Sequence, residues 1–199
     1  MSAQLVAIAG SPRRGGNTEL LLDEFLAGLQ EKGVTWEKIR VADLAIEDCR
    51  ACGGCSRSNP PGRCVIEDAM RDVLDRLRAA QGYVLATPIW FGGPPAALKA
   101  MIDRCQALWA TDPTFSREKS KKPAALLVVG GMHLLWQDPG VRVVARSFFA
   151  ALYARIVGEL FIHDVDARGE ILKHPDLLAK ARELGRDLAG GILHPGPPA

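Results

Sequence analysis

Three short apolar runs, residues 4–9, 83–87 and 124–129, each lead into a glycine-bearing turn, and stretches of helical period separate them. A strand that is apolar on both sides of its pleat must be covered on both faces, which is the situation of a central strand in a parallel sheet. Residues 34–41 are more polar, with Thr35, Glu37, Lys38 and Arg40 among them, as an edge strand permits, and residues 157–162 make a fifth candidate. The helical pattern over Asn17–Glu31 sets Leu22, Phe25, Leu26 and Leu29 on one face, with Asn17 as the expected N-cap and Gly33 as the stop. Residues 66–80 repeat the spacing with Met70, Val73, Leu74 and Leu77, and residues 95–109 with Leu98, Met101, Ile102, Cys105 and Leu108. Residues 139–156 and 175–188 complete the set. Prolines open the last three segments, where a missing N–H costs a helix nothing.

Strands alternating with helices in this way specify an α/β chain, with five parallel strands between two helical layers. At this length the flavodoxin-like order 2-1-3-4-5 is expected. The 199 residues are read as one domain, with a cysteine-rich insertion at 45–65 and a loose proline-rich tail at 194–199. Apolar residues make up 48% of the chain, which excludes disorder as its main state. A net charge of +2 and only 6% aromatic residues, with no basic stripe, argue against nucleic acid. No apolar run approaches the roughly 20 residues of a spanning helix. The first residues lack the basic start of a signal peptide, so membrane insertion is not expected and a cytoplasmic location is. In that reducing compartment the five cysteines point to metal, redox chemistry or burial rather than to disulfides.

In an open parallel sheet, ligands collect beyond the carboxyl ends of the strands, where the winding reverses between strands one and three. Residues 10–18, GSPRRGGNT, follow strand one and open a helix. Gly10, Gly15 and Gly16 let the backbone turn its N–H groups inward, Ser11, Asn17 and Thr18 add donors, and Arg13 or Arg14 adds charge. That combination suits a phosphate. Gly15 is followed by Gly16 and Asn17 rather than by the lysine of a triphosphate loop, and Pro12 breaks the G-x-G-x-x-G dinucleotide pattern, so the reading is a monophosphate pocket. After strand three, Pro88, Ile89, Trp90, Phe91 and Gly92 offer aromatic walls and accessible N–H groups to a flat ligand. Gly130, Gly131 and Met132 after strand four close the third side. Each loop alone reads as a plain chain reversal; their meeting at the switch point favours a ligand.

The segments GSPRRGGNT, TPIWFGGPPAALKAMIDR and VVGGM, in that order, resemble the NAD(P)H-dependent FMN reductases of the flavodoxin-like superfamily. The resemblance implies FMN, with its phosphate on Ser11, Arg13, Gly16, Asn17 and Thr18 and its ring against Pro88 to Gly92, Gly130 and Gly131. It implies NAD(P)H as electron donor, a small acceptor such as a quinone, oxygen or peroxide, and a homodimer or homotetramer. Trp90 stands where the family commonly has tyrosine, which keeps the aromatic wall and drops a hydroxyl.

A second motif runs Cys49-x2-Cys52-x2-Cys55-x8-Cys64, followed by Glu67, Asp68, Ala69 and Met70. It resembles the iron–sulfur flavoprotein branch, in which such cysteines hold a 4Fe-4S cluster. Two departures stand out: the final gap is eight residues with Pro60 and Pro61 inside it, and Ala69 replaces a second acidic residue. From the residues alone, three thiolates on one tight turn with a distant fourth suit a cubane cluster. Arg50 and Arg63 lie nearby and would favour thiolates. A zinc site more often uses two separated pairs, and four reduced free thiols are an equal alternative. Cys105 reads as a small buried hydrophobe. His133, His163, His174 and His194 share no spacing. Lys99, Asp103 and Arg104 read as helix-surface or subunit-contact charges, and residues 117–122 as a solvated loop. A flavodoxin-type electron carrier, usually acidic, and a redox sensor built on the cysteine segment are the competing functions.

Overall fold

A computed structural model describes residues 4–111, 122–134 and 136–193. The loose tail expected at 194–199 and residues 117–121 of the expected solvated loop lie outside the described residues, whereas Lys122, read with that loop, is partly buried at the start of the fourth strand, its Nζ donating to the Arg78 carbonyl at 3.1 Å. Five parallel strands, β1 (Leu5–Ala9), β2 (Trp36–Arg40), β3 (Gly82–Pro88), β4 (Lys122–Val129) and β5 (Ala154–Ile162), stand in the order β2-β1-β3-β4-β5. This is the expected flavodoxin-like order. Alternation along β1 sends Val6 and Ile8 into one core and Leu5, Ala7 and Ala9 into the other. The first core is covered by α3 (Met70–Ala79), α4 (Ala96–Arg104), α5 (Gln106–Trp109) and α6 (Asp138–Ala151); the second by α1 (Asn17–Glu31) and α7 (Pro175–Leu193). A short helix, α2 (Gly54–Arg57), lies inside the cysteine segment.

Several boundaries differ from the sequence expectations for local reasons. The N-cap of α1 is Gly16, and Asn17 is its first helical residue. The helix expected from 66 starts at Met70, whose N–H is taken by the Asp68 carboxylate at 3.0 Å. The 95–109 helix splits at Cys105 into α4 and α5. The helix expected over 139–156 ends at Ala151, because Tyr153 takes a left-handed φ of 52° and β5 begins at Ala154. The last helix runs beyond 188 to Leu193. Parallel registry, with Ala9 beside Ala86, Pro88 beside Val129 and Val129 beside Ile162, brings the carboxyl ends of four strands to one edge.

Candidate functional site

The loop after β1 starts with Gly10, whose N–H donates to the Ala86 carbonyl at 2.8 Å and so anchors it to β3. The Ser11 hydroxyl accepts from the Arg13 N–H at 3.2 Å and keeps its own proton to donate. Ser11, Asn17 and Thr18 are buried. Because the N-cap is a glycine, no side chain caps α1, and the N–H groups of Asn17 and Thr18 have no partner among the described residues. Two such groups at the positive end of a 15-residue helix have the chemistry that suits an anion. Arg13 is exposed and only loosely paired, 3.9 Å from Asp166. The Asn17 side chain is differently employed. Its Nδ2 donates to the Ala167 carbonyl at 2.9 Å and its Oδ1 accepts from the Ile171 N–H at 3.2 Å, so both ends are committed to the loop after β5.

Glu19 sits in the first turn of α1 and accepts the Gly15 N–H at 2.7 Å. Burial pushes its pKa up, but the Gly15 N–H, the Arg40 guanidinium and Lys38 outweigh that, and the carboxyl is held below its ordinary 4.5. The pairing with Arg40 also keeps its negative charge from opposing an anion nearby.

After β3, Trp90 and Gly93 exchange backbone hydrogen bonds of 2.8 and 3.0 Å around Phe91 and Gly92, whose φ values are 49° and 73°. Two successive left-handed residues make the tight turn of a hairpin. Glycine adopts that conformation freely; phenylalanine does so at a cost of about 1–2 kcal/mol. Yet Phe91 is fully exposed and Trp90 partly so, so the strain serves no core packing. The turn is held from behind by α6. A Cβ on Gly140 would lie 2.1 Å from the Gly92 carbonyl oxygen, so only glycine lets the helix come this close. Ile89 N–H donates to Val129 O at 3.0 Å and ties the same loop to β4.

The loop after β4 interlocks with the one after β5. Gly130 bonds to Ile162 at 2.8 Å, and the His133 N–H to the Asp164 carboxylate at 3.1 Å. The His133 and His163 rings stack at 4.5 Å, with His163 Nε2 3.2 Å from Asp138. Residues 163–170 therefore form a fourth wall that the sequence reading did not foresee. Glu170 fixes its shape by accepting the Asp166 and Ala167 N–H groups, each at 2.9 Å, and Arg168 donates to the Arg14 carbonyl at 2.6 Å. The polar run Asp164, Asp166, Arg168 directly after an apolar strand was its only sequence signal.

The cysteine segment lies beyond the carboxyl end of β2. Cys49, Cys55 and Cys64 are partly buried, Cys52 is exposed, and none is in a disulfide. Gly53, at φ 67°, starts α2, which carries Cys55 with its sulfur 3.9 Å from the Gln106 carbonyl. Arg50 pairs with Glu47. Among the described residues no three His, Cys, Asp or Glu side chains stand close enough to hold one metal ion. Cys105 is buried as expected, and burial pushes its thiol pKa up to about 12. Arg104 overturns its surface reading: it is 2% exposed and grips Asp68 with two hydrogen bonds, of 2.8 and 3.0 Å. Lys99 and Asp103 do lie on the helix surface, as expected, and there they pair at 2.7 Å.

Comparison with known proteins agrees with this layout. The NADPH-dependent FMN reductase family matches residues 3–162. An iron-sulfur flavoprotein from Archaeoglobus fulgidus is 36% identical over 144 residues, 72% of this chain and 70% of the relative. Iron-sulfur flavoprotein MJ1083 from Methanocaldococcus jannaschii is 37% identical over 105 residues, and the match spans about half of either chain, 53% of each. Among solved structures, a flavone reductase superposes with a TM-score of 0.71 at 20% identity, covering 96% of this chain and 63% of that one. An NAD(P)H:quinone oxidoreductase from Methanothermobacter marburgensis gives 0.68 at 19% identity, covering 94% and 98%. These two share the fold. The family match runs from β1 to the end of β5 and takes in all three expected ligand loops in order, so this chain belongs to the NADPH-dependent FMN reductase family.

Proposed function

We propose that this protein is an FMN-dependent oxidoreductase that takes electrons from NAD(P)H and passes them to a small acceptor of the quinone, oxygen or peroxide class, with Cys49, Cys52, Cys55 and Cys64 holding a 4Fe-4S cluster. One observation carries the flavin site: unpaired N–H groups at the start of α1 meet a strained, exposed aromatic turn at the switch point of the sheet. A phosphate takes the N–H groups of Asn17 and Thr18, the hydroxyls of Ser11 and Thr18, and the Arg13 guanidinium once it leaves Asp166. Gly16 contributes by having no side chain to fill that space. Asn17 acts through its backbone, while its side chain holds the fourth wall in place. The flat ring lies against Pro88, Ile89, Trp90, Phe91 and Gly92, with Gly130 and Gly131 on the other side. FMN, when bound, supplies the hydride and electron chemistry; the protein supplies position and field.

For the cluster, the donor chemistry fits. Four cysteines outside any disulfide share one segment, and Cys55 and Cys64 both lie at the Arg104–Gln106 junction. Arg104 lies beside Cys64, and its buried Nε–H has no acceptor among the described residues, so a spare donor is at hand for a metal-bound thiolate. The names of the curated relatives support the same reading. Exposed Trp90, Phe91 and Trp136 at the mouth of the flavin site support assembly as a homodimer or homotetramer. No described helix is long and apolar enough to cross a membrane.

The test is purification without oxygen, followed by absorption spectroscopy, iron analysis and steady-state assays with a quinone. Flavin bands, about four irons per chain that fall in Cys52→Ser and Cys55→Ser, and NAD(P)H-driven turnover are expected. Flavin without turnover would make the protein a carrier. Iron absent even after reconstitution would leave a cysteine segment free for redox sensing.

A further inference from the structure

The segment bearing Cys49 to Cys64 leaves the sheet after β2 and returns at α3, and one side chain holds both of its ends. Arg104, the last residue of α4, donates through Nη1 to the Glu47 carbonyl at 2.8 Å and through Nη2 to the Ile66 carbonyl at 3.4 Å. Glu47 lies two residues before Cys49 and Ile66 two residues after Cys64, so the guanidinium spans the neck of the segment. Its other bonds go to Asp68, which also accepts the N–H groups of Glu47 at 2.8 Å and Met70 at 3.0 Å.

The buried guanidinium is matched by the Asp68 carboxylate, itself nearly buried, through the two hydrogen bonds between them. Cys64 lies beside the same guanidinium. One donor, Nε–H, is buried without an acceptor among the described residues. A desolvated cation with a spare donor is costly unless something uses it, and the flavin site does not. The far end of α4 starts at Ala96, just past the Trp90–Gly93 turn. A rigid helix about 13 Å long therefore ties the neck to the aromatic turn.

We propose that Arg104 is the positioning residue of the cysteine segment: it closes the neck, presents the Cys64 sulfur, and sets a fixed positive charge beside it, so that it governs both iron uptake and the ease with which the bound group is reduced. The inference rests on the iron–sulfur reading above. A positive charge and an N–H donor next to a ligand sulfur stabilise the more negative, reduced form and raise its potential.

The test compares Arg104→Lys, which keeps the charge and loses the fork, with the double variant Asp68→Asn/Arg104→Gln, which avoids leaving a lone buried charge. After anaerobic reconstitution, iron and FMN per chain are measured, with the midpoint potential from an EPR redox titration. Arg104→Lys is expected to bind FMN normally and take up less than half the iron of the parent. The double variant is expected to hold its remaining cluster at a more negative midpoint. A residue that merely stabilised the fold would lower the melting temperature and leave the midpoint unmoved. Parental iron uptake and midpoint in both variants overturn the proposal. If the parent takes up no iron at all, the iron–sulfur reading has failed, and the neck is judged on the metal-free protein. There, limited trypsin digestion after Arg50, Arg57 and Arg63 should quicken in Arg104→Lys while FMN binding holds; unchanged cleavage overturns the positioning role too.

Discussion

Replacing Gly140 by alanine should loosen the aromatic turn without altering any residue in it. The new Cβ would stand 2.1 Å from the Gly92 oxygen and 3.3 Å from the Gly92 carbonyl carbon. A comfortable carbon–oxygen contact is about 3.3–3.6 Å, so turn and helix must separate by a little over about 1 Å. The helix resists, because Val141, Ala145, Phe148 and Phe149 bury its inner face. The turn, with Phe91 in solvent and one pair of backbone bonds, gives way instead. Overpacking costs about 1–3 kcal/mol, and alanine returns up to about 1 kcal/mol of helix propensity. The net loss falls on the loop proposed to line the flavin site. If about 1–2 kcal/mol of it appears in binding, the FMN dissociation constant rises about five- to thirty-fold. The melting temperature of the apo-protein should meanwhile move by only a few degrees, at about 2–4 °C per kcal/mol for a chain of this size. Quenching of flavin fluorescence gives the first quantity and thermal circular dichroism the second. An unchanged dissociation constant with a raised melting temperature would refute the reasoning, since the close approach would then serve neither the turn nor the cofactor.

Phe91→Asn relieves a left-handed backbone that asparagine tolerates, so thermal denaturation should show a gain of about 1 kcal/mol while FMN binds more weakly; a gain with unchanged FMN affinity would remove Phe91 from the ring wall. The Glu19 carboxyl is held below its ordinary 4.5, so its stabilising contribution is present above that value and is lost as pH falls through its lowered folded value. Urea midpoints measured from pH 6 down to pH 3 should fall less steeply in Glu19→Gln than in the parent, and parallel curves would contradict the assignment. The Cys105 thiol, pushed up to about 12, should resist iodoacetamide in the native metal-free protein at pH 8, so that at most four cysteines label before urea is added; five native labels would mean that its helix opens readily. Asn17→Ala strands the buried Ile171 N–H, which costs about 1–3 kcal/mol of stability, whereas Thr18→Ala should barely change stability and should weaken FMN binding. Parallel losses in both assays for both variants would erase that division of labour.

The sheet was legible because each central strand must be apolar on both sides, and few residues satisfy that by chance. The turn after β1 into α1 was legible because its glycines and small polar residues interrupt an apolar strand just before a helical period. Boundaries were less so. Periodicity carries the helix pattern straight through 152–156, whereas the chain stops at Tyr153 because its backbone turns left-handed there, and tyrosine gives no warning of that as glycine would. The N-cap shift has a similar origin. Asparagine before a helix ordinarily caps it, but here the side chain is drawn to Ala167 and Ile171, about 150 residues away in the chain, and local preference yields to a tertiary contact.

Arg104 illustrates the deeper limit. On its helix it follows Lys99 and Asp103, which do face solvent, and pattern alone makes it one more surface charge. What reverses the reading is a partner 36 positions away, together with two carbonyls that the fold brings to the same point. A charge is excluded from a core only when it has no partner. The partner is therefore the information, and a one-dimensional period does not carry it. The same holds at the proposed flavin site. The start of α1 is joined to the loop after β5 by the Asn17 side chain, and Glu170 fixes the shape of that loop from within. Residues that touch a ligand tend to announce themselves by composition, whereas the residues that hold them in place do so only through the contacts they make.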